Sequence, residues 1–127
     1  MNTLALCQFF LPLFLLAATG ARTVYLSETD MASIRILPGR CTILSFPIKP
    51  SKVILGNQGL FAVEYVENDL AITALRASVR SNLFVYMEGR RFAFDLTTVL
   101  SGGDEIVLVR DTVEKPLKRK HGKGSND

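Results

Sequence analysis

The chain has 127 residues, a formal net charge of +3 and 48% hydrophobic residues, which suit a single globular domain. The positive charge is concentrated at the C-terminus. Residues 22–114 contain 10 basic and 11 acidic side chains, whereas residues 115–127 contain 5 basic and 1 acidic. A basic face across the domain, the usual signature of a nucleic-acid-binding protein, is not supported. We expect no specific nucleic-acid partner.

The first 21 residues have the layout of a secretory signal peptide. An apolar run over residues 4–18 precedes small residues at positions 19–21 and then Arg22. A membrane-spanning helix needs about 20 apolar residues, and this run is shorter and contains Gln8 and Pro12. We therefore predict a cleaved leader over residues 1–21 and export of the remainder. An uncleaved membrane anchor is the alternative.

Short alternating runs bounded by turn residues predict strands through the rest of the chain. Eight or nine strands at this spacing favour an all-β fold, a single β-sandwich over residues 22–113. A disordered basic tail is predicted over residues 114–127. In chain order the runs are TVYL (23–26), SIRIL (33–37), CTILSF (41–46), KVILG (52–56), LFAVEYVE (60–67), LAITAL (70–75), the two arms of 81–99, and EIVLV (105–109).

One segment and one cysteine leave alternatives. Residues 69–79 could form a helix with Asp69 as its N-cap, but the β-branched Ile72 and Thr73 favour a strand.

Cys41 is the one cysteine beyond the predicted leader, so the domain cannot close an internal disulfide. Its place in an alternating apolar run indicates a buried small hydrophobe rather than a reactive or intermolecular thiol.

The segment SNLFVYMEGRRFAFDLTTV, residues 81–99, predicts a β-hairpin that turns at Glu88 and Gly89. Alternation places Phe84 and Tyr86 opposite the face that holds Leu83, Val85 and Met87. A strand that is apolar on both faces lies inside a sandwich or under a partner. The two aromatic residues are therefore either half-covered by neighbouring strands or part of an exposed docking face.

Basic residues offer two further candidates. Arg90 and Arg91 follow the bend, where arginines can recognise carboxylates or phosphates, although keeping the turn soluble is the simpler interpretation. A polybasic tail gains about 1 kcal/mol per Lys or Arg at an anionic membrane surface. The candidate partner-binding residues are Phe84, Tyr86, Arg90, Arg91, Lys118, Arg119 and Lys120.

No enzyme, metal or cofactor site is indicated by the sequence. The single histidine, His121, lies in the predicted tail, where it could not be held rigidly as a general base. Asp104 and Glu105 form an adjacent acidic pair after two glycines, which we interpret as a solvated turn rather than a cation site. No glycine-rich loop leads into a helix to hold a phosphate. We expect no catalytic residues, no metal and no cofactor.

The order of these strands resembles a known family. Residues 35–96, about half of the chain, resemble the N-terminal β-domain of TrbG-like proteins, which are outer-membrane core components of conjugative type IV secretion machines. The N-terminal domains of pilus secretins are a rival resemblance. The matching segments are TILSFP (42–47), VILGN (53–57), FAV (61–63), LAITA (70–74), SNLFV (81–85), GRR (89–91) and FAFDL (92–96).

The resemblance implies a periplasmic β-sandwich that forms a ring with copies of itself and other secretion-core subunits, without catalysis. Family members continue into a second β-domain, which this sequence does not show, so we expect a single-domain accessory protein or a shortened relative. The leading hypothesis is a non-enzymatic periplasmic assembly subunit of a secretion or conjugation apparatus. The alternative is an exported binding module that uses the basic tail to bind a glycan or an anionic surface.

Overall fold

The computed structural model describes residues 20–114 and consists there of nine strands and one 3-10 turn. The all-β fold predicted from the sequence is confirmed, and every predicted run forms a strand. Residues 69–74 are a strand, not the start of a helix. The elements are β1 (Ala21–Leu26), β2 (Met31–Ile36), β3 (Cys41–Ser45), β4 (Lys52–Leu55), β5 (Phe61–Val66), β6 (Asp69–Ala74), β7 (Arg80–Met87), β8 (Arg90–Thr98), β9 (Ile106–Asp111) and the turn Thr112–Glu114.

The strands form two sheets of a sandwich. Sheet A has the order β1-β9-β3-β6-β5, and sheet B has the order β2-β8-β7-β4. The β1–β9, β3–β9 and β2–β8 pairs are parallel, and the remaining pairs are antiparallel. Residues 1–19 of the predicted leader (1–21) and residues 115–127 of the predicted tail (114–127) lie outside the described residues. Ala21, the last residue of the predicted leader, begins β1, and Glu114, the first of the predicted tail, ends the 3-10 turn.

The core lies between the sheets because each strand alternates apolar and polar residues, which places one face inward. In β2, for example, Ala32, Ile34 and Ile36 are buried while the residues between them are exposed. Phe46, just after β3, meets Phe94 of β8 edge to face, with ring centroids 6.0 Å apart. This aromatic pair joins the two sheets within the core.

Asp104 corrects the prediction of a solvated acidic turn. Its side chain is only 4% exposed and accepts hydrogen bonds from Arg22 Nε at 2.9 Å and from the backbone N–H of Arg35 at 2.8 Å. Its own backbone N–H donates to Arg35 O, and its carbonyl accepts from the buried Thr42 hydroxyl. A short loop residue is thus a junction between β1, β2 and β3, which the local sequence could not reveal.

The environment of Asp104 favours its charged form. Burial alone would raise the pKa of this carboxyl, but the hydrogen bonds from Arg22 and Arg35 and their positive charges outweigh it. The pKa is therefore lowered from its ordinary value. Arg22 also donates to Ser33 O at 2.7 Å, so a single guanidinium links the edge strand of sheet A to the edge strand of sheet B.

Cys41 is exposed, so the prediction of a buried cysteine is wrong. The reason is the phase of the alternation in β3: Thr42 and Leu44 point into the core, and Cys41 points outward with Ile43 and Ser45. Sequence alternation gives two faces, but it does not say which of two mixed faces is buried when both carry apolar residues.

The hairpin between β7 and β8 turns at Glu88 and Gly89, as predicted, with φ angles of 45° and 75°. Two consecutive positive φ angles match the type I′ turn preferred by two-residue hairpin loops. Because an alanine is strained at positive φ, we expect Gly89→Ala to lower the free energy of unfolding by about 1 kcal/mol in denaturant titrations. Gly59→Ala, in a loop without positive φ, should have a smaller effect, and equal losses would contradict this explanation.

Candidate protein-interaction surface

The outer face of sheet B carries a row of apolar side chains that crosses all four strands. Ile54 in β4 is opposite Phe84 in β7, Phe84 is opposite Ala93 in β8, and Ala93 is opposite Met31 in β2. Neighbouring strands are about 4.8 Å apart, so the row spans roughly 14 Å. We call these four residues the apolar row. The in-register arrangement makes it a continuous strip rather than scattered exposed residues.

The ends of the apolar row are open and its middle is partly covered. Met31 is 54% exposed and Ile54 is 43% exposed. Phe84 is half-buried, and Ala93 is buried between its neighbours. A partner that covered this strip would remove apolar surface from water chiefly at Met31, Ile54 and the half-buried Phe84.

Polar residues border the apolar row on both sides. On one side Tyr86 lies between Lys52 of β4 and Arg91 of β8, its cross-strand neighbours. On the other side Asp95 faces Asn82 and Ser33. The side with Lys52 and Arg91 is basic, and a partner that carried an acidic rim there would be complementary to it.

Asp95, on the polar side of the apolar row, forms an ion pair with Arg80. Arg80 donates to both oxygens of Asp95, at 3.1 and 2.8 Å. This hydrogen bond raises the pKa of the Arg80 guanidinium above its ordinary value. The pair satisfies Asp95 within the sheet, so that carboxylate contributes little net charge to the face.

Arg90 does not simply solubilise the bend, as the sequence suggested. Its guanidinium lies 2.7 Å from the carboxylate of the nearly buried Asp111 at the end of β9, and 3.7 Å from that of Glu28 in the β1–β2 turn. Its Nε is buried and has no hydrogen-bond partner among the described residues. Arg90 therefore ties the hairpin tip to the end of sheet A.

The structure brings three of the candidate residues onto one face. Phe84, Tyr86 and Arg91 lie together on the outer side of sheet B, and both aromatic rings are half-buried. Arg90 points instead toward the end of the sandwich. The three candidates in the tail, Lys118, Arg119 and Lys120, lie outside the described residues.

Sequence reasoning missed Met31, Ile54 and Ala93 as members of this surface. Each stands in a short strand whose alternation is visible, but their juxtaposition depends on which strands are neighbours. The β2–β8 pair is parallel and joins strands far apart in the chain. No local signal specifies such a crossover pairing, so the apolar row could be found only from the strand order.

Other features of the described residues point to no second site. A shallow pocket beside the Asp104 loop is lined by Arg40 and Glu105, whose charges pair with each other at 2.7 Å. Residues 20–114 contain no group of three or more His, Cys, Asp or Glu side chains placed to hold a metal ion. Within the same residues no helix is long and apolar enough to cross a membrane.

Comparison with known proteins gives no assignment. No protein-family model matches this chain, and no curated protein matches it. The surface described above is therefore the main guide to function.

Proposed function

We propose that the protein is a non-enzymatic periplasmic assembly subunit of a secretion or conjugation apparatus, and that it acts by protein–protein contacts. The observation that carries the proposal is the apolar row, which crosses every strand of sheet B in register. Exposed contiguous apolar strips with a polar rim are typical of sites that bind other proteins. The choice of a secretion or conjugation apparatus rests on the resemblance of residues 35–96 to TrbG-like domains.

The docking surface on this proposal is the apolar row together with Tyr86, Lys52 and Arg91. Aromatic and long apolar residues dominate the binding energy of protein interfaces, and arginine is enriched there. Tyr86 and Arg91 face each other across the hairpin, so one partner can cover both. The basic side favours a partner with acidic residues beside an apolar strip.

The test is capture of partners from the native cell. The full chain would be crosslinked mildly in its own cells, purified, and its captured proteins identified by mass spectrometry. We expect envelope components of a secretion apparatus, and at least about a tenfold loss of their recovery in the Phe84→Ser/Ile54→Lys double variant. Both residues lie outside the core, so the variant should remain folded, as circular dichroism can confirm.

The matched control is Leu100→Lys, which removes an apolar side chain that is 92% exposed in the loop before β9. It should capture the same components as the unchanged protein. The proposal would be wrong if the native protein captured no envelope component. It would also be wrong if the double variant captured them normally while deletion of residues 115–127 abolished capture, since that result assigns binding to the tail.

A further inference from the structure

Among the described residues the outer edge of β5 has no neighbouring strand, and it has few of the features that usually protect a sheet edge. The strand has 6 residues and no proline, lysine or arginine, and it ends the order of sheet A. Leu75 N–H donates to Leu60 O at 2.8 Å, which fixes the phase of the antiparallel ladder with β6. The backbone groups of Phe61, Val63 and Tyr65 therefore point away from β6 toward the open edge.

The other three edges carry protecting features. In β2, the Arg35 N–H and C=O are occupied by Asp104, and Ser33 O is occupied by Arg22. Arg22 itself is an inward-directed charge on edge strand β1. Edge strand β4 has only 4 residues, follows Pro50 and carries Lys52. Short length, proline, lysine and inward charges are devices by which natural sheets avoid edge pairing. β5 has none of these four, and its one charged residue, Glu64, lies on the outer face.

We infer that two copies of this chain pair through β5, antiparallel about a two-fold axis at Val63, to join two five-stranded sheets into one of ten strands. In this register Val63 is opposite Val63 of the second copy, and Phe61 is opposite Tyr65 of the second copy. All the backbone groups that point away from β6 then find partners. This β5 interface would be a second contact surface of the proposed assembly subunit. It lies on sheet A, whereas the apolar row lies on sheet B.

Side-chain placement supports a second copy as the occupant. Tyr65 shares the inner face with Phe61 and Val63, yet it is 50% exposed because it lies at the open side of the sandwich. Pairing would cover its ring with Phe61 of the second copy, and aromatic cross-strand pairs are among the favourable ones. On the outer face Glu64 would be opposite Ala62, so no like charges meet.

Two alternative two-fold registers would be less stable than the one centred on Val63. A shift that centres the axis on Glu64 places two glutamates directly opposite each other, which is destabilising. A shift that centres it on Ala62 places Tyr65 opposite Gly59, which lies in the loop before β5. The axis at Val63 is the one that pairs most of β5 without either conflict.

The first experiment measures the mass of the purified full chain, without any partner, by light scattering at rising concentration under reducing conditions. We expect a twofold rise in mass for the unchanged protein and for Leu100→Lys, and a monomer for Tyr65→Lys, which places a charge on the inner side of the edge. A chain that stays monomeric at all concentrations would overturn the inference. So would a dimer that persists in Tyr65→Lys, or one that is found only when the reductant is left out and therefore depends on a cysteine.

The second experiment reads the register and uses only exposed positions. Ala62→Cys and Glu64→Cys would be made separately in a chain in which both natural cysteines are serine, Cys7→Ser and Cys41→Ser. Ala62 and Glu64 of the second copy form a non-hydrogen-bonded pair about 4.5 Å apart between Cα atoms, within disulfide reach, whereas like residues are offset beyond it. Oxidation should therefore crosslink a mixture of the two variants and leave each variant alone uncrosslinked.

Crosslinking of Ala62→Cys alone or of Glu64→Cys alone would overturn this register, and no crosslink in the mixture would overturn the β5 interface. Failure here leaves the proposed docking face untouched, because mass and crosslinking are measured without the cellular partner. Conversely, a dimer of the expected register that captures no envelope component would contradict the proposed function alone.

Discussion

Replacing Asp104 with asparagine should lower the free energy of unfolding by about 2–3 kcal/mol. The carboxylate is nearly inaccessible and accepts from the Arg22 side chain and the Arg35 backbone. An amide of the same size removes the charge and directs an NH₂ group or a single acceptor toward these donors. Denaturant unfolding followed by circular dichroism measures the loss.

The control is the adjacent Glu105→Gln. Glu105 pairs with Arg40 at 2.7 Å, but both side chains are more than half exposed, and surface pairs contribute about 0–1 kcal/mol. If both substitutions cost the same, the role assigned to Asp104 as a junction between strands is wrong.

The pH dependence of stability provides a further check on Asp104. Because its pKa is lowered in the folded protein, the unfolded chain, in which an aspartate titrates near 3.9, binds the proton more readily. The stabilising contribution is therefore complete above the unfolded pKa and is lost as the pH falls through the folded pKa. The Asp104→Asn protein should show a shallower decline of stability on acidification below about pH 5 than the unchanged protein.

The second large effect is expected at Phe94, where an alanine should cost about 3–5 kcal/mol. Phe94 is fully buried and packs edge to face on Phe46 across the two sheets. Its removal leaves a cavity in a domain of this size, whose total stability is of the order of 5–15 kcal/mol. Thermal or denaturant unfolding should reveal a protein close to the limit of folding.

Phe84→Ala is the matched comparison, because it removes the same side chain from the opposite face of the same sheet. Phe84 is half-buried, and its loss should cost about 1–2 kcal/mol. Equal costs at Phe84 and Phe94 would show that the outer face of sheet B is covered in the folded chain. That result would contradict its assignment as a docking surface.

The fold was largely predictable because alternation is a local property. Each strand from β1 to β9 has period-two patterning in its own few residues, and the turn at Glu88 and Gly89 is specified by two adjacent positions. The grouping of Leu83, Val85 and Met87 on one face of β7 also follows from their own segment. In these cases the residues that determine the local structure are the same residues that form it, so their sequence alone predicts it.

The environments of individual polar residues were not predictable in this way. Asp104 is buried by contacts with residues 69 and 82 positions away, and Arg90 pairs with Asp111 and Glu28, on two other elements. Cys41 is exposed because sheet A buries the other face of β3. The apolar row likewise depends on strand order. Long-range neighbours decide these features, and alternation carries no information about them.

The pairing of the first strand with the last has a consequence for how the chain folds. β1 lies beside β9, and β9 also separates β1 from β3, so sheet A cannot be completed until the C-terminal strand is present. Domains dominated by such distant pairings fold slowly, because a long loop must close before the contacts form. A chain that emerges N-terminus first therefore holds β1 without its neighbour in the sheet until residues up to about 111 have followed, because that neighbour is β9.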